Sequence, residues 1–289
     1  MLGRLRMTTQ EVIDQYDAIS RVVFNEKNKR FDKSFKPAAL EQAIRSVAKP
    51  RGGEYAPMAM KEDDVQKGLC LVVSLKKGGD DNTPTVFRSY KSQGEETTCR
   101  LWEAARATTA APGVFPPAKI VTDEGPTYFI DGAVKWNNPS WIVLREAETR
   151  FGAHRRLGCL VSLGTGLRPP SLDQDNKNEK RWFKPTYSVS ELARMMLNYL
   201  TDPEPTHREL EAWLKPQPDS YFRFSVPYNP GEDRIRIFEY HKMDTLRRST
   251  ENYIKTKEVS DRLDEIVDVL CSKRSTDISL HAACRSKLG

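Results

Sequence analysis

The residue whose setting most suggests chemistry is Asp131. It closes a short apolar run, Tyr128, Phe129 and Ile130, and is followed by Gly132 and Ala133. A carboxylate at the end of a buried strand is costly unless it is paired or hydrogen-bonded. A glycine directly after it lets the backbone turn sharply and approach a neighbour. An Asp there is either a cap on the strand-to-loop turn or a proton acceptor. No Gly-x-Ser-x-Gly, the strained strand-to-helix turn that presents a nucleophilic serine, occurs in the 289 residues. Ser92 and Ser162 each have a Gly two residues on, but Tyr90 and Leu160 stand where the first Gly is needed. Ser162 lies within an apolar run and reads as structural. The pairs Gly52-Gly53 and Gly78-Gly79 are isolated in polar stretches.

The other reactive side chains are sparse. The four histidines (His154, His207, His241 and His281) sit in polar stretches, which argues weakly against a His-based triad. The cysteines, Cys70, Cys99, Cys159, Cys271 and Cys284, are scattered and odd in number, with no Cys-x-x-Cys pair. That pattern disfavours a zinc site or a disulfide framework and fits a reducing compartment. No phosphate loop, metal-ligand spacing or dinucleotide fingerprint is present. No cofactor or metal is therefore expected. A different enzyme class, pairing Asp131 with His154 or Cys159, is the weakest of the readings left open.

The elements that must position Asp131 are legible from periodicity and punctuation. Residues 8–24 read as a helix with Val12, Ile13, Tyr16, Ile19 and Val23 on one face, opened by Thr8 and Glu11 at capping-box spacing. Pro37 opens a short helix carrying Leu40, Ala43, Ile44 and Val47. Residues 68–75 and 85–90 read as strands. Residues 101–111 are Ala-rich and helical until Pro112. After the strand ending at Asp131, Asn138 is expected to cap a helix with Pro139 at its first position and Gly152 at its end. Residues 157–163 and 221–226 read as further strands, with another near 234–238. A polar loop over 169–185 leads to a helix from about Ser188. The last strong helix carries Val259, Leu263, Ile266, Val267 and Leu270 on one face. Strands alternating with helices imply an α/β sheet covered on both faces. No repeat, low-complexity tract or linker stands out, so one domain over residues 1–270 with a basic tail over 271–289 is the expectation.

The segment from Trp102 through Arg106, Ala107, Thr108, Pro112 and Phe115 to Pro117 carries a family likeness, together with Asp131-Gly132-Ala133 and Asn137-Asn138-Pro139. It resembles the patatin-like phospholipase pattern W-x-A-x-R-A-T-S-A-A-P-x-x-F-P-P, then D-G-[GA], then N-N-P, with Thr109 where the pattern has Ser. Val161 to Gly166 and Val86 to Tyr90 resemble two more family segments. The likeness runs from the first residue to about Asp268. It implies a patatin-like three-layer α/β/α fold with a mostly parallel central sheet, lacking here the first strand and the nucleophile strand. It implies lipid acyl hydrolysis by a two-residue Ser–Asp site without histidine, in which Asp131 is the proton acceptor within the Asp131, Gly132, Ala133 motif. The family's oxyanion loop and its serine elbow have no counterpart in this sequence. Met1 accordingly looks like an internal methionine of a fuller domain, and the chain alone is expected to be inactive. The expected partner is a phospholipid or other acyl-ester lipid.

Composition narrows the setting. Net charge is +6, from 46 basic and 40 acidic residues, and no basic stripe with interleaved aromatics points to nucleic acid. Mean hydropathy is -0.63, and no run approaches the roughly 18 apolar residues that a spanning helix needs. The start has no apolar signal region. The expectation is a cytoplasmic protein that can meet membranes peripherally. The basic stretch 27–36, interrupted by Phe31 and Phe35, is either a solvated loop or a contact with a lipid surface. A non-catalytic lipid- or protein-binding remnant of the fold is the alternative to an incomplete hydrolase.

Overall fold

The computed structural model describes residues 1–49, 57–59, 69–79, 83–91, 99–122, 125–167, 203–227, 235, 238–272 and 276–284. The chain divides into two compact units. One comprises Met1–Asn137, Lys184–Thr201 and Arg236–His241; the other comprises Asn138–Phe183, Asp202–Ile235 and Lys242–Gly289. The polar loop expected over 169–185 and the helix expected from about Ser188 lie outside the described residues, as does most of the strand expected near 234–238.

In the first unit the helices are α1 (Leu2–Leu5), α2 (Thr9–Val23), α3 (Pro37–Ala48), α4 (Leu101–Thr108) and α5 (Ala133–Trp136). The strands are β1 (Leu71–Lys76), β2 (Thr85–Arg88), β3 (Ala118–Thr122) and β4 (Gly125–Asp131), in spatial order β2-β1-β4-β3. The reciprocal cap on α2 is present. Glu11 N–H donates to the Thr8 hydroxyl at 3.2 Å, and Thr8 N–H donates to the Glu11 carboxylate at 2.7 Å. Val23 is buried, and Val12 and Ile19 pack on the core. Ile13 and Tyr16 are exposed instead, because the buried stripe is narrower than the full run of apolar positions.

The α/β class holds, but the sheet around Asp131 corrects one expectation. All three pairings among β1 to β4 are antiparallel, not mostly parallel. The connections explain this. β3 and β4 are adjacent in sequence and turn back at Gly125, whose φ of 107° suits glycine. Such a turn can join only antiparallel neighbours, since parallel strands need a long crossover. The strand β3 was not anticipated: Lys119 and exposed Val121 alternate with buried Ala118 and Ile120.

The second unit contains α6 (Ser140–Phe151), α7 (Glu204–Leu214), α8 (Met243–Ile254), α9 (Lys257–Ser272) and α10 (Leu280–Cys284), with β5 (Leu160–Leu163) and β6 (Tyr221–Phe224). Here the one described pairing is parallel, β5 with β6. Successive β6 side chains enter different cores, as strand geometry requires. Tyr221 joins Trp141, Leu144, Leu210 and Leu280, while Phe222 and Phe224 join Val259 and Ile266. Helix α10 falls in the stretch that reads as a weakly patterned tail. Its Leu280 and Ala283 are buried, and Leu157 N–H donates to the Ile278 carbonyl at 3.1 Å.

Candidate active-site carboxylate

Asp131 is held by three neighbours. Its strand pairs with β1, placing Asp131 opposite Ser74 and Ile130 opposite Leu75. The buried Ser74 hydroxyl donates to the Ile130 carbonyl at 2.6 Å. From the other side, Asp131 N–H donates to the Ala110 carbonyl at 3.1 Å, just beyond α4. Helix α4 reaches this close because Ala104, Ala107 and Ala110 are fully buried and small. The Thr108 hydroxyl ties it to β1 by donating to the Val73 carbonyl at 2.7 Å.

The carboxylate itself accepts from Ala133 N–H at 2.8 Å through Oδ1, an Asx-type turn that redirects the chain into α5. No further hydrogen bond reaches it among the described residues. Burial raises its pKa from 3.8 to about 6, against the lowering effect of the Ala133 bond. Desolvation disfavours the charged form, and one backbone donor offsets it only partly. Gly132 is required by space, not by a special φ. A side-chain carbon there would strike the Val73 carbonyl, with its carbon 2.8 Å away.

The supporting helices are locked by polar contacts. Arg106, buried on α4, pairs with Glu41 of α3 at 3.4 Å and donates to the Pro116 carbonyl at 2.7 Å. The Arg45 guanidinium stacks over the Trp102 ring at 3.9 Å. Arg106 is a structural cation, and Ala107 with its neighbours is a packing element.

Asp131 belongs to the first unit, and His154 and Cys159 belong to the second. His154 is exposed, and burial pushes the Cys159 thiol up. Ser162 is buried and accepts from Arg223 at 2.9 Å. That occupies its hydroxyl structurally. Ser92, Gly52 and Gly53 lie outside the described residues. Asn138 acts one position away from its expected place. Its Oδ1 accepts from Ser140 N–H at 3.3 Å and from the Ser140 hydroxyl at 2.6 Å, and α6 starts at Ser140. Ser74, which ties β1 to β4 beside Asp131, escaped the sequence reading; Thr108 stands there as part of the family segment, without its bond to Val73. Ser74 sits in an otherwise apolar run, and that lone hydroxyl was the available signal. No group of three or more His, Cys, Asp or Glu residues among the described residues is arranged to hold a metal ion.

Residues 17–144, which span α2 through Asp131 into α6, match the family model for patatin-like phospholipase. The matched residues make up less than half of the chain, and they are similar to patatin-like phospholipases. Among its relatives, patatin-like phospholipase 1 of Plasmodium falciparum (isolate NF54) is 30% identical over 53% of this chain and 24% of that protein. Human calcium-independent phospholipase A2-gamma is 27% identical over 96% of this chain and 34% of that protein. Probable inactive patatin-like protein 9 of Arabidopsis thaliana is 25% identical over 60% of this chain and 44% of that protein. The chain thus spans about a quarter to a third of the length of the first relatives it matches. Relatives of similar identity include phospholipases and one named inactive, so similarity alone does not decide activity. No helix among the described residues is long and apolar enough to cross a membrane.

Proposed function

We propose that this patatin-like chain carries the base of a lipid acyl hydrolase site and lacks its nucleophile. Asp131 is the base. In a complete site the serine hydroxyl passes its proton to Asp131 Oδ2 as Oγ attacks the ester carbonyl, so one carboxylate does the work a histidine does elsewhere. The observation that carries this reading is a half-buried carboxylate on a rigid strand end, with one hydrogen bond among the described residues and a pKa raised to about 6. Such a group is mostly ionised at neutral pH yet basic enough to accept a proton. The substrate is a phospholipid or another acyl-ester lipid, met in the cytoplasm or at a membrane surface. The relatives' names support this class.

These 289 residues contain no Gly-x-Ser-x-Gly. Residual catalysis in a damaged site usually rests on its oxyanion hole, and no Gly-rich loop for one occurs in this sequence. Purified chain should therefore release no p-nitrophenol from p-nitrophenyl butyrate, and no fatty acid from phosphatidylcholine, beyond Asp131→Ala. Turnover abolished by Asp131→Ala would overturn the claim of inactivity. The second reading, a non-catalytic member that keeps the scaffold, is favoured by the relative named inactive. It requires lipid or protein binding that is indifferent to Asp131→Asn.

A further inference from the structure

Residues 29–35 form a hydrogen-bonded turn that displays one aromatic ring. Lys29 and Phe35 form an antiparallel bridge, Arg30 N–H donates to the Ser34 carbonyl at 2.7 Å, and Lys33 N–H donates to the Arg30 carbonyl at 3.0 Å. Asp32 Oδ1 accepts from Ser34 N–H at 3.0 Å and from the Ser34 hydroxyl at 2.6 Å. Lys33 takes the left-handed conformation, φ 64°, that closes the turn.

The base of the turn is anchored in the first unit. Phe35 is buried against Phe24, Phe115 and Phe238, with ring centroids 5.1, 6.3 and 6.3 Å away. Phe35 N–H donates to the Val114 carbonyl at 2.8 Å. At the tip, Phe31 is wholly exposed, with a relative accessibility of 108%. Residues 26–36 include five cations, Lys27, Lys29, Arg30, Lys33 and Lys36, against two carboxylates, Glu26 and Asp32; Lys29 pairs with Glu26 at 3.0 Å, Arg30 with Asp32 at 3.9 Å, and Lys36 donates to the Lys27 carbonyl at 2.9 Å.

We propose that this turn docks the protein on an anionic lipid surface, with Phe31 entering the headgroup boundary and the cations meeting acidic headgroups. A fully solvated phenyl ring on a turn ordered by its own hydrogen bonds enters an interface with little further ordering cost. The rim of long basic side chains matches a negative surface and leaves the tip free to insert. A convex tip with one ring fits a bilayer interface, which is deformable, better than a protein groove. This inference does not depend on catalysis, and its test reads binding alone.

The test is flotation of the purified chain with phosphatidylcholine vesicles, with and without phosphatidylserine, which separates bound protein from aggregate. Binding should need phosphatidylserine and weaken as salt rises. Phe31→Ser should reduce partitioning about tenfold or more, the fold-change expected for one phenyl ring. Lys29→Glu and Lys33→Glu should each cost about fivefold or more. Phe31→Trp should retain binding and add a vesicle-dependent blue shift to the emission of the wild-type chain. Phe151→Ser, at an exposed site in the second unit, should bind as wild type does. Wild-type chain that fails to float with the acidic vesicles would overturn the proposal. So would Phe31→Ser floating as well as wild type, or Phe151→Ser losing as much.

Discussion

Asp131 carries opposing demands at the level of a single residue. Its folded pKa, about 6, lies above the usual 3.8. The folded state therefore binds more protons than the unfolded state between about pH 4 and pH 6, and stability falls as pH rises through that window. A shift of this size corresponds to about 3 kcal/mol once the group is fully ionised. Asp131→Asn keeps the acceptor for Ala133 N–H and removes the charge. Thermal denaturation should show it more stable than wild type at pH 7 and close to wild type at pH 4. An unchanged difference across that range would mean that burial of the charge is not the cause. A completed catalytic site would show the converse, with activity rising from about pH 5 to pH 7 as the base ionises. The position of Asp131 was legible in the sequence because an Asp-Gly pair closes an apolar run. Its raised pKa was not, since that depends on how little solvent and how few donors reach it across β1 and α4.

At the level of elements, α4 and the β4 end work as a tight joint. Gly132 approaches the backbone of β1, which cannot swing aside as a flexible side chain would. Gly132→Ala should cost about 1–3 kcal/mol by overpacking, read as a lowered midpoint in urea at constant slope. Arg106→Ala should cost about 2 kcal/mol through its lost Pro116 bond and broken Glu41 pair. Arg106→Met, which refills the volume, should recover part of that loss. Equal losses in the two variants would assign the whole effect to the charge. The helices α2, α3 and α4 were readable because a reciprocal cap, a Pro start and an Ala-rich run each act locally. The strand β3 and the antiparallel pairing were not, because direction follows from how the chain returns at Gly125. The same limit applies to Asn138: its side chain satisfies Ser140 from outside the helix, and the Asn-Pro signal fixes the neighbourhood but not the first helical residue.

At the level of the whole molecule, the two units interleave along the chain, which is why no linker marks their boundary. In the second unit β5 pairs with β6 alone among the described residues, and its Leu163 and Val161 are exposed. Exposed apolar side chains on a strand are an aggregation hazard. Leu163→Lys should raise the concentration at which the chain begins to scatter light, with no loss of melting temperature; an unchanged onset would clear β5.

The proposed site joins Asp131 to a serine presented on a Gly-x-Ser-x-Gly turn, a pattern that does not occur in these 289 residues. The most direct test is a fusion that supplies a strand and a Gly-x-Ser-x-Gly turn ahead of residues 1–289, assayed for fatty acid release from phosphatidylcholine. The expected result is hydrolysis that falls at least about a hundredfold in Asp131→Asn, the scale of a lost general base. A cooperatively folded fusion without hydrolysis, or one whose Asp131→Asn form turns over as fast as its parent, would contradict the role assigned to Asp131.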